Sequence, residues 1–188
     1  MPASIYDFAL ETINGHRTSL GQYRGKVLLV VNVASKCGLT PQYDALEKLY
    51  SRFQASGFEV LGFPANDFAG QEPGSNQEIS EFCKASFGVD FPLFSKIAVT
   101  GGGTHPLYGA LIAAEPKAWG PGREAMRENL EGFLASTKNG TTNPEPGILW
   151  NFEKFLIGRD GNVVGRFSPE VTPEDPALVA AIEAALAG

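Results

Sequence analysis

The sequence predicts an α/β protein in which a mixed central β-sheet is flanked by helices on both faces. Strand-like and helix-like segments alternate along the chain, and the central strands are nearly continuous apolar runs such as Val27–Val31. Runs of this kind are typical of strands that are buried on both faces. The chain has 188 residues, of which 43% are hydrophobic. This is enough for one core, and we expect a single domain over residues 1–188.

The order of the predicted elements indicates the topology. A strand, a helix and a second strand follow one another between residues 26 and 63, which predicts a right-handed crossover and a parallel pair. Two hairpins are predicted, one at the N-terminus on Asn14-Gly15 and one near the C-terminus on Asp160-Gly161. This order matches a thioredoxin-like sandwich. The predicted strands are Ile5–Glu11, Thr12–Arg17, Lys26–Val33, Phe58–Phe63, Phe152–Gly158 and Asn162–Phe167, and the helices are Pro41–Ala55, Asn76–Phe87, Pro106–Ala113, Arg123–Ser136 and Pro173–Leu186.

Capping patterns fix two of the helix starts. Ser75 and Glu78 form a capping-box pattern before the helix that contains Cys83, and Thr172 is the predicted cap of the last helix. Residues Glu115–Gly147 are irregular and rich in Gly, Pro, Asn and Thr. We interpret them as an insertion of loop and one helix, for which a lid over the pocket is one interpretation.

The composition excludes several classes of function. The formal net charge of −6 argues against a nucleic-acid partner, because binding to phosphates requires a basic surface. The chain has no polybasic run and no stretch of about 20 apolar residues, so we expect no membrane association. The first residues lack the pattern of a signal peptide, and we expect a cytoplasmic protein. In that compartment, a disulfide between its two cysteines is transient and catalytic, the alternative being two unrelated buried thiols.

Cys37 is the residue most suggestive of chemistry. It follows the apolar strand directly, and Thr40-Pro41 then indicates a helix start. The partial positive charge at a helix N-terminus stabilises a thiolate, which is the reactive form of cysteine. A thiolate attacks one oxygen of a peroxide and becomes a sulfenic acid. Such a site needs neutral hydrogen-bond donors that polarise the peroxide.

Three candidate donors are expected at the same edge of the sheet as Cys37. Gln71 lies in the loop after the second core strand, and parallel neighbours end on the same side of a sheet. Trp150 and Asn151 precede the third core strand. That strand runs antiparallel, so its beginning lies at the edge where the first two strands end.

The three segments resemble the signatures of the glutathione peroxidase family, of its bacterial cysteine-containing type. The matching motifs are Asn32-Val33-Ala34-Ser35-Lys36-Cys37-Gly38, the Phe63-Pro64 … Gln71-Glu72-Pro73-Gly74 loop and Trp150-Asn151-Phe152-Glu153-Lys154-Phe155. The resemblance implies that Cys37 is the peroxidatic residue and that Gln71, Trp150 and Asn151 are its donors. It also implies hydrogen peroxide and organic or lipid hydroperoxides as substrates, thioredoxin or glutathione as the reductant, and no further cofactor.

The resemblance bears on Cys83 as well. On its pattern alone, Cys83 lies on the apolar face of its helix and is a core residue. In family members that use thioredoxin, a cysteine in this helix resolves the sulfenic acid as an intramolecular disulfide, here Cys37–Cys83. Because bridged cysteines need Cα atoms within about 7 Å, we expect this helix to unwind in each cycle. The active-site loop departs from the family pattern at Ala65, Asp67 and Ala69, and Asp67 introduces a negative charge near the pocket.

Other interpretations remain open at this stage. Glutathione could reduce Cys37 directly, with Cys83 structural, or the cysteine pair could act in a peroxide-sensing redox relay. A cysteine hydrolase with His16 or His105, or a zinc site of both cysteines and both histidines, would require sequence-distant residues to meet. We expect a monomer.

Overall fold

The computed structural model describes residues 4–188 and contains two β-sheets and five α-helices within that range. The smaller sheet is an antiparallel hairpin of β1 and β2, and the larger has the strand order β4-β3-β5-β6. The elements are β1 (Leu10–Glu11), β2 (Arg17–Thr18), β3 (Val27–Val33), α1 (Gln42–Phe53), β4 (Phe58–Pro64), α2 (Asn76–Phe87), α3 (Pro106–Ala114), α4 (Arg123–Thr137), β5 (Lys154–Ile157), β6 (Val163–Phe167) and α5 (Pro176–Ala187).

The central sheet is mixed, as predicted. β3 and β4 are parallel and in register from Val27 opposite Phe58 to Val33 opposite Pro64. β5 pairs antiparallel with the other side of β3, with Val31 opposite Lys154. The ends of β3 and β4 and the beginning of β5 therefore lie at one edge of the sheet. Every residue of these three strands is buried, which requires packing on both faces.

The N-terminal hairpin and the last helix depart from their predicted bounds. The N-terminal hairpin forms, but each of its strands has only two residues, because Ile5–Asp7 is a 3₁₀ turn capped by the Ser4 hydroxyl. The last helix begins at Pro176 instead of Pro173, and Asp175 accepts a hydrogen bond from Ala177 N at 2.8 Å. A residue before proline is disfavoured in the helical region, so Asp175 is excluded from a helix begun at Pro173.

The predicted insertion contains α4, and buried ion pairs fasten it to the central sheet. Arg123 at the start of α4 lies 2.5 Å from one Glu153 carboxylate oxygen, and Arg166 of β6 lies 2.6 Å from the other. Arg166 also donates to the carbonyls of Glu115 and Gly147, each at 3.1 Å. The two ends of the 115–147 segment are thus joined to Arg166, which is itself paired with Glu153, the residue that follows the Trp150–Phe152 turn.

Within residues 4–188, no helix is both long and apolar enough to cross a membrane.

Candidate active site

Cys37 lies in a tight turn between β3 and α1 that is organised by Thr40. The Thr40 hydroxyl accepts from Cys37 N at 3.0 Å and donates to Ala34 O at 2.8 Å, so it bridges the two ends of the turn. Leu39 N donates to the Cys37 sulfur at 3.3 Å. Cys37 is only 9% exposed, but a Cβ at the neighbouring Gly38 would meet no atom within 4 Å outside residues 37–39. The sulfur therefore accepts a hydrogen bond from one backbone N–H group, in a turn that adjoins open space at Gly38.

Gln71 is joined to this turn by the backbone. Lys36 N donates to Gln71 O at 3.0 Å, and Glu72 N donates to the Asn66 side chain at 2.9 Å, which closes the loop after β4. The Gln71 side chain accepts from Asn151 Nδ2 at 2.9 Å. Two of the predicted donors, one from each loop, are thus in direct contact. Because the Gln71 oxygen is occupied by Asn151, its amide N–H₂ group remains available to another acceptor.

Trp150 and Asn151 lie on a turn that β3 holds in place. Asn32, the one polar residue of β3, donates from its side chain to Trp150 O at 3.1 Å and accepts from Phe152 N at its carbonyl at 2.6 Å. Phe152 has a φ of 69°, a left-handed conformation that is costly for a residue with a Cβ. This conformation reverses the chain between Asn151 and β5, and β5 begins at Lys154, two residues later than predicted.

Lys154 and Glu153 fasten the same turn from the other side. Lys154 Nζ donates to Phe152 O at 2.6 Å and to Pro169 O at 3.3 Å, and the latter carbonyl also accepts from Gln42 at the start of α1. Complete burial lowers the pKa of Lys154 to about 7, although the carboxylates of Glu153 and Glu170 oppose this shift. Asn32, Glu153 and Lys154 were not predicted to have this role from the sequence. A polar or charged residue within an otherwise apolar strand is the signal that could have found them.

The structure brings the four predicted residues to one edge of the sheet but does not place the donors on the sulfur. Within residues 4–188, the hydrogen bond recorded to the Cys37 sulfur comes from Leu39 N, and the side chains of Gln71, Trp150 and Asn151 make none to it. Leu39 was not predicted from the sequence. The Trp150 ring contacts those of Phe68 and Phe133, with centroid distances of 5.4 and 6.3 Å.

Cys83 is buried on α2 and is a free thiol, like Cys37. Burial raises the pKa of Cys83 to about 11, with the Tyr43 hydroxyl lowering it and the Glu72 carboxylate raising it further. Burial likewise raises the pKa of Glu72. The Tyr43 hydroxyl lies close to the Cys83 thiol, but the two groups do not have the geometry of an ordinary hydrogen bond. A surface cleft lined by Ser35, Lys36, Glu72 and Phe82 separates the Cys37 turn from α2.

The three departures from the family loop have distinct surroundings. Ala65 is fully buried. The Asp67 carboxylate accepts from Val99 N at 2.6 Å and anchors the loop. Ala69 has a φ of 54°, a conformation that glycine adopts without the cost that a Cβ brings.

The two histidines lie away from Cys37. His16 is exposed beside the N-terminal hairpin turn, and His105 caps α3 by accepting from Leu107 N at 3.1 Å. In the part of the chain that the structure describes, no three His, Cys, Asp or Glu side chains are grouped as metal ligands.

Comparisons with known proteins agree with this architecture. The family model for glutathione peroxidase matches residues 5–112. The Thioredoxin/glutathione peroxidase BtuE of Escherichia coli is 51% identical over 189 residues that cover 100% of both chains, and therefore spans the Trp150 turn as well. A glutathione peroxidase of Lactococcus lactis is 44% identical and covers 92% of this chain and 94% of its own.

Solved structures give the same result. The crystal structure of T. cruzi GPX1 has a TM-score of 0.70 at 34% identity, covering 99% of this chain and 98% of its own. Xanthomonas campestris peroxiredoxin Q, at 20% identity and a TM-score of 0.59, covers 99% of this chain and 96% of its own and shares only the fold. The thioredoxin-like fold and the family predicted from the three motifs are confirmed: the chain belongs to the glutathione peroxidase family.

Proposed function

We propose that this protein is a thiol peroxidase that reduces hydrogen peroxide and organic or lipid hydroperoxides at Cys37. The observation that carries the proposal is the contact between Gln71 and Asn151 at the sheet edge where the Cys37 turn begins. Amide and indole donors assembled beside a thiol suit a reaction in which negative charge develops on oxygen. A structural cysteine has no use for such donors.

In the first half-reaction, the Cys37 thiolate attacks the terminal oxygen of the hydroperoxide and the O–O bond breaks. The sulfur becomes a sulfenic acid, and the leaving alkoxide or hydroxide takes up a proton to give an alcohol or water. Leu39 N–H stabilises charge on the sulfur, and we assign Gln71, Trp150 and Asn151 to the peroxide oxygens. Within residues 4–188, none of the three makes a hydrogen bond to the sulfur. Asn151 donates one of its two N–H groups to Gln71, which leaves the other, the Gln71 amide and the Trp150 indole N–H for the substrate.

In the second half-reaction, the Cys83 thiol condenses with the sulfenic acid, which forms the Cys37–Cys83 disulfide and releases water. A thioredoxin-type dithiol then reduces this bond by exchange. The name of the E. coli relative supports this reductant. Because Cys83 is buried on its helix, we expect α2 to open before the bond forms.

The burial of Cys83 also favours a second candidate for the reducing step, in which glutathione is the reductant. If α2 stays closed, Cys83 is structural and glutathione reduces the sulfenic acid directly, as the names of several relatives suggest. A peroxide-sensing relay would use the same disulfide but pass it to a partner protein.

A coupled assay separates these candidates. NADPH consumption is followed with peroxide and either thioredoxin with its reductase or glutathione with its reductase. The proposal predicts turnover with thioredoxin that requires both cysteines. Turnover with glutathione alone that is unaffected by Cys83→Ser would support the second candidate, and slow turnover with both reductants would support the relay.

We further propose that the protein acts as a single-domain monomer in the cytoplasm, with 115–147 as an insertion. Its thiols are both free, and α4 packs on its own chain through Arg123 and Leu134. Light scattering should give a mass near 20.1 kDa. A mass twice as large would contradict the monomer.

A further inference from the structure

Phe133 of α4 is an exposed aromatic residue at the candidate active site. Within residues 4–188, three large apolar side chains are prominently exposed: Phe133 at 41%, Trp119 at 45% and Val164 at 55%. Trp119 packs edge-on against Phe167 of β6, and Val164 belongs to that strand. The Phe133 ring instead meets the Trp150 indole nearly at right angles, with a centroid distance of 6.3 Å. Of the three, Phe133 is the one in aromatic contact with a proposed site residue.

The position of Phe133 is fixed by its neighbours on α4. Leu134 is buried beside it, and Arg123 at the start of the helix is paired with Glu153. Further along the helix, Arg127 donates to Asn143 O at 2.8 Å, and Glu131 accepts from Thr142 N at 3.0 Å. The helix is therefore held from its start to its middle against the segments on either side of Trp150, so Phe133 presents an exposed apolar face in a defined place.

The geometry of the reaction indicates which part of the substrate lies beside Phe133. The thiolate attacks the terminal oxygen of a hydroperoxide, so the oxygen that leaves carries the organic group and points away from the sulfur. With the Trp150 N–H on the leaving oxygen, the organic group lies next to the indole, whose exposed aromatic neighbour is Phe133. Hydrogen peroxide has no organic group and makes no use of this surface.

We propose that Phe133 and the adjoining edge of Trp150 form an apolar subsite for the organic group of alkyl and lipid hydroperoxides. The inference rests on the proposed thiol peroxidase function. It makes Phe133, which belongs to the 115–147 insertion, a residue that determines substrate preference. An apolar contact of this kind gains free energy in proportion to the area removed from water.

The test compares kcat/KM for cumene hydroperoxide and for hydrogen peroxide in the full-length protein, with dithiothreitol as the reductant so that docking of a protein reductant plays no part. Phe133→Ala should lower the ratio of the two values about fivefold, the factor that corresponds to ~1 kcal/mol. Phe133→Leu, which keeps an apolar side chain, should restore most of the ratio. Val164→Ala, a matched loss of exposed apolar surface on β6, should leave the ratio unchanged.

Other outcomes would overturn the subsite. An unchanged or raised ratio in Phe133→Ala would show that the organic group binds elsewhere, and an equal loss with both substrates would mean that Phe133 only supports Trp150. Dissociation of a dimer with an unchanged ratio would make the surface a self-association contact. Failure of the proposed function is a different result, in which the wild type shows no Cys37-dependent consumption of any hydroperoxide.

Discussion

The surroundings of the two thiols differ in how firmly they are held. Around Cys37, turns are fixed by buried contacts: Thr40 bridges the cysteine turn, and Asn32 and Lys154 hold the Trp150–Phe152 turn from two sides. Cys83 lies in α2, a helix of twelve residues of which only Ile79 and Cys83 are buried. Its start depends on a capping box and its end on Gly88 in the left-handed conformation.

This difference matches the different requirements of the two half-reactions. The peroxide reaction needs donors that are already in place, because reorganising them at the moment of reaction costs free energy. The resolving reaction needs a cysteine that can move to Cys37, and a helix with few buried side chains opens at a low cost in free energy. The high pKa of Cys83 keeps the closed form as an unreactive thiol.

Replacement of Cys37 should have the largest effect. Cys37→Ser removes the nucleophile, so peroxide consumption with either reductant should fall by at least about a thousandfold. The measurement is NADPH oxidation in the coupled assay, with circular dichroism to show that the fold persists. Residual turnover close to that of the wild type would place the reactive sulfur elsewhere.

Replacement of Cys83 should abolish the cycle but spare the first turnover. Cys83→Ser should consume one hydroperoxide per chain and then stop when thioredoxin is the reductant, because the sulfenic acid has no internal partner. Rapid-quench measurement of peroxide against enzyme concentration gives the stoichiometry. Sustained thioredoxin-driven turnover in this variant would contradict the proposed disulfide.

Weakening the cap of α2 should accelerate disulfide formation. The Ser75 hydroxyl accepts from Glu78 N at 3.2 Å, and its loss in Ser75→Ala should destabilise the helix by about 1 kcal/mol. If opening limits the reaction, the disulfide should form about fivefold faster in stopped-flow tryptophan fluorescence after peroxide addition.

A matched cap elsewhere controls for general destabilisation. Asp175 caps α5 in the same way, and Asp175→Ala should leave the rate of disulfide formation unchanged. Equal rates in Ser75→Ala and the wild type would mean that α2 does not have to open.

The pH dependence of the unfolding free energy tests the firmly held surroundings of Cys37. Lys154 has a pKa of about 7 in the folded protein and 10.5 in the reference state, so the unfolded chain binds more protons between these values. Stability should therefore rise with pH from about 7 to 9, by up to about 1.4 kcal/mol per pH unit. Cys83, with its raised pKa, should act in the opposite direction only above pH 9.

Urea unfolding at pH 7 and at pH 9 measures this effect. Lys154→Met, which cannot titrate, should lose the rise in unfolding free energy between these two values. An identical rise in both proteins would show that Lys154 is not the group responsible.

The sequence predicts the arrangement of the sheet edge better than the contacts made there. The apolar run of β3 and the turn at Asp160-Gly161 indicate which strand ends meet. The sequence alone therefore predicted that Cys37, Gln71, Trp150 and Asn151 lie at one edge of the sheet. The start of α5 was predicted three residues too early, because Asp175-Pro176 is a stronger helix-start signal than Thr172-Pro173. The contact of Phe133 with Trp150 depends on how α4 packs across a distance of 17 residues, and no local pattern encodes it.

Peptide mapping after one equivalent of peroxide tests the two-cysteine account most directly. The reduced protein is oxidised without a reductant, free thiols are alkylated, and the digest is analysed by mass spectrometry. The account predicts a peptide pair joined through Cys37 and Cys83, with little of either cysteine alkylated. An alkylated Cys83 together with Cys37 as sulfenic or sulfinic acid would contradict it.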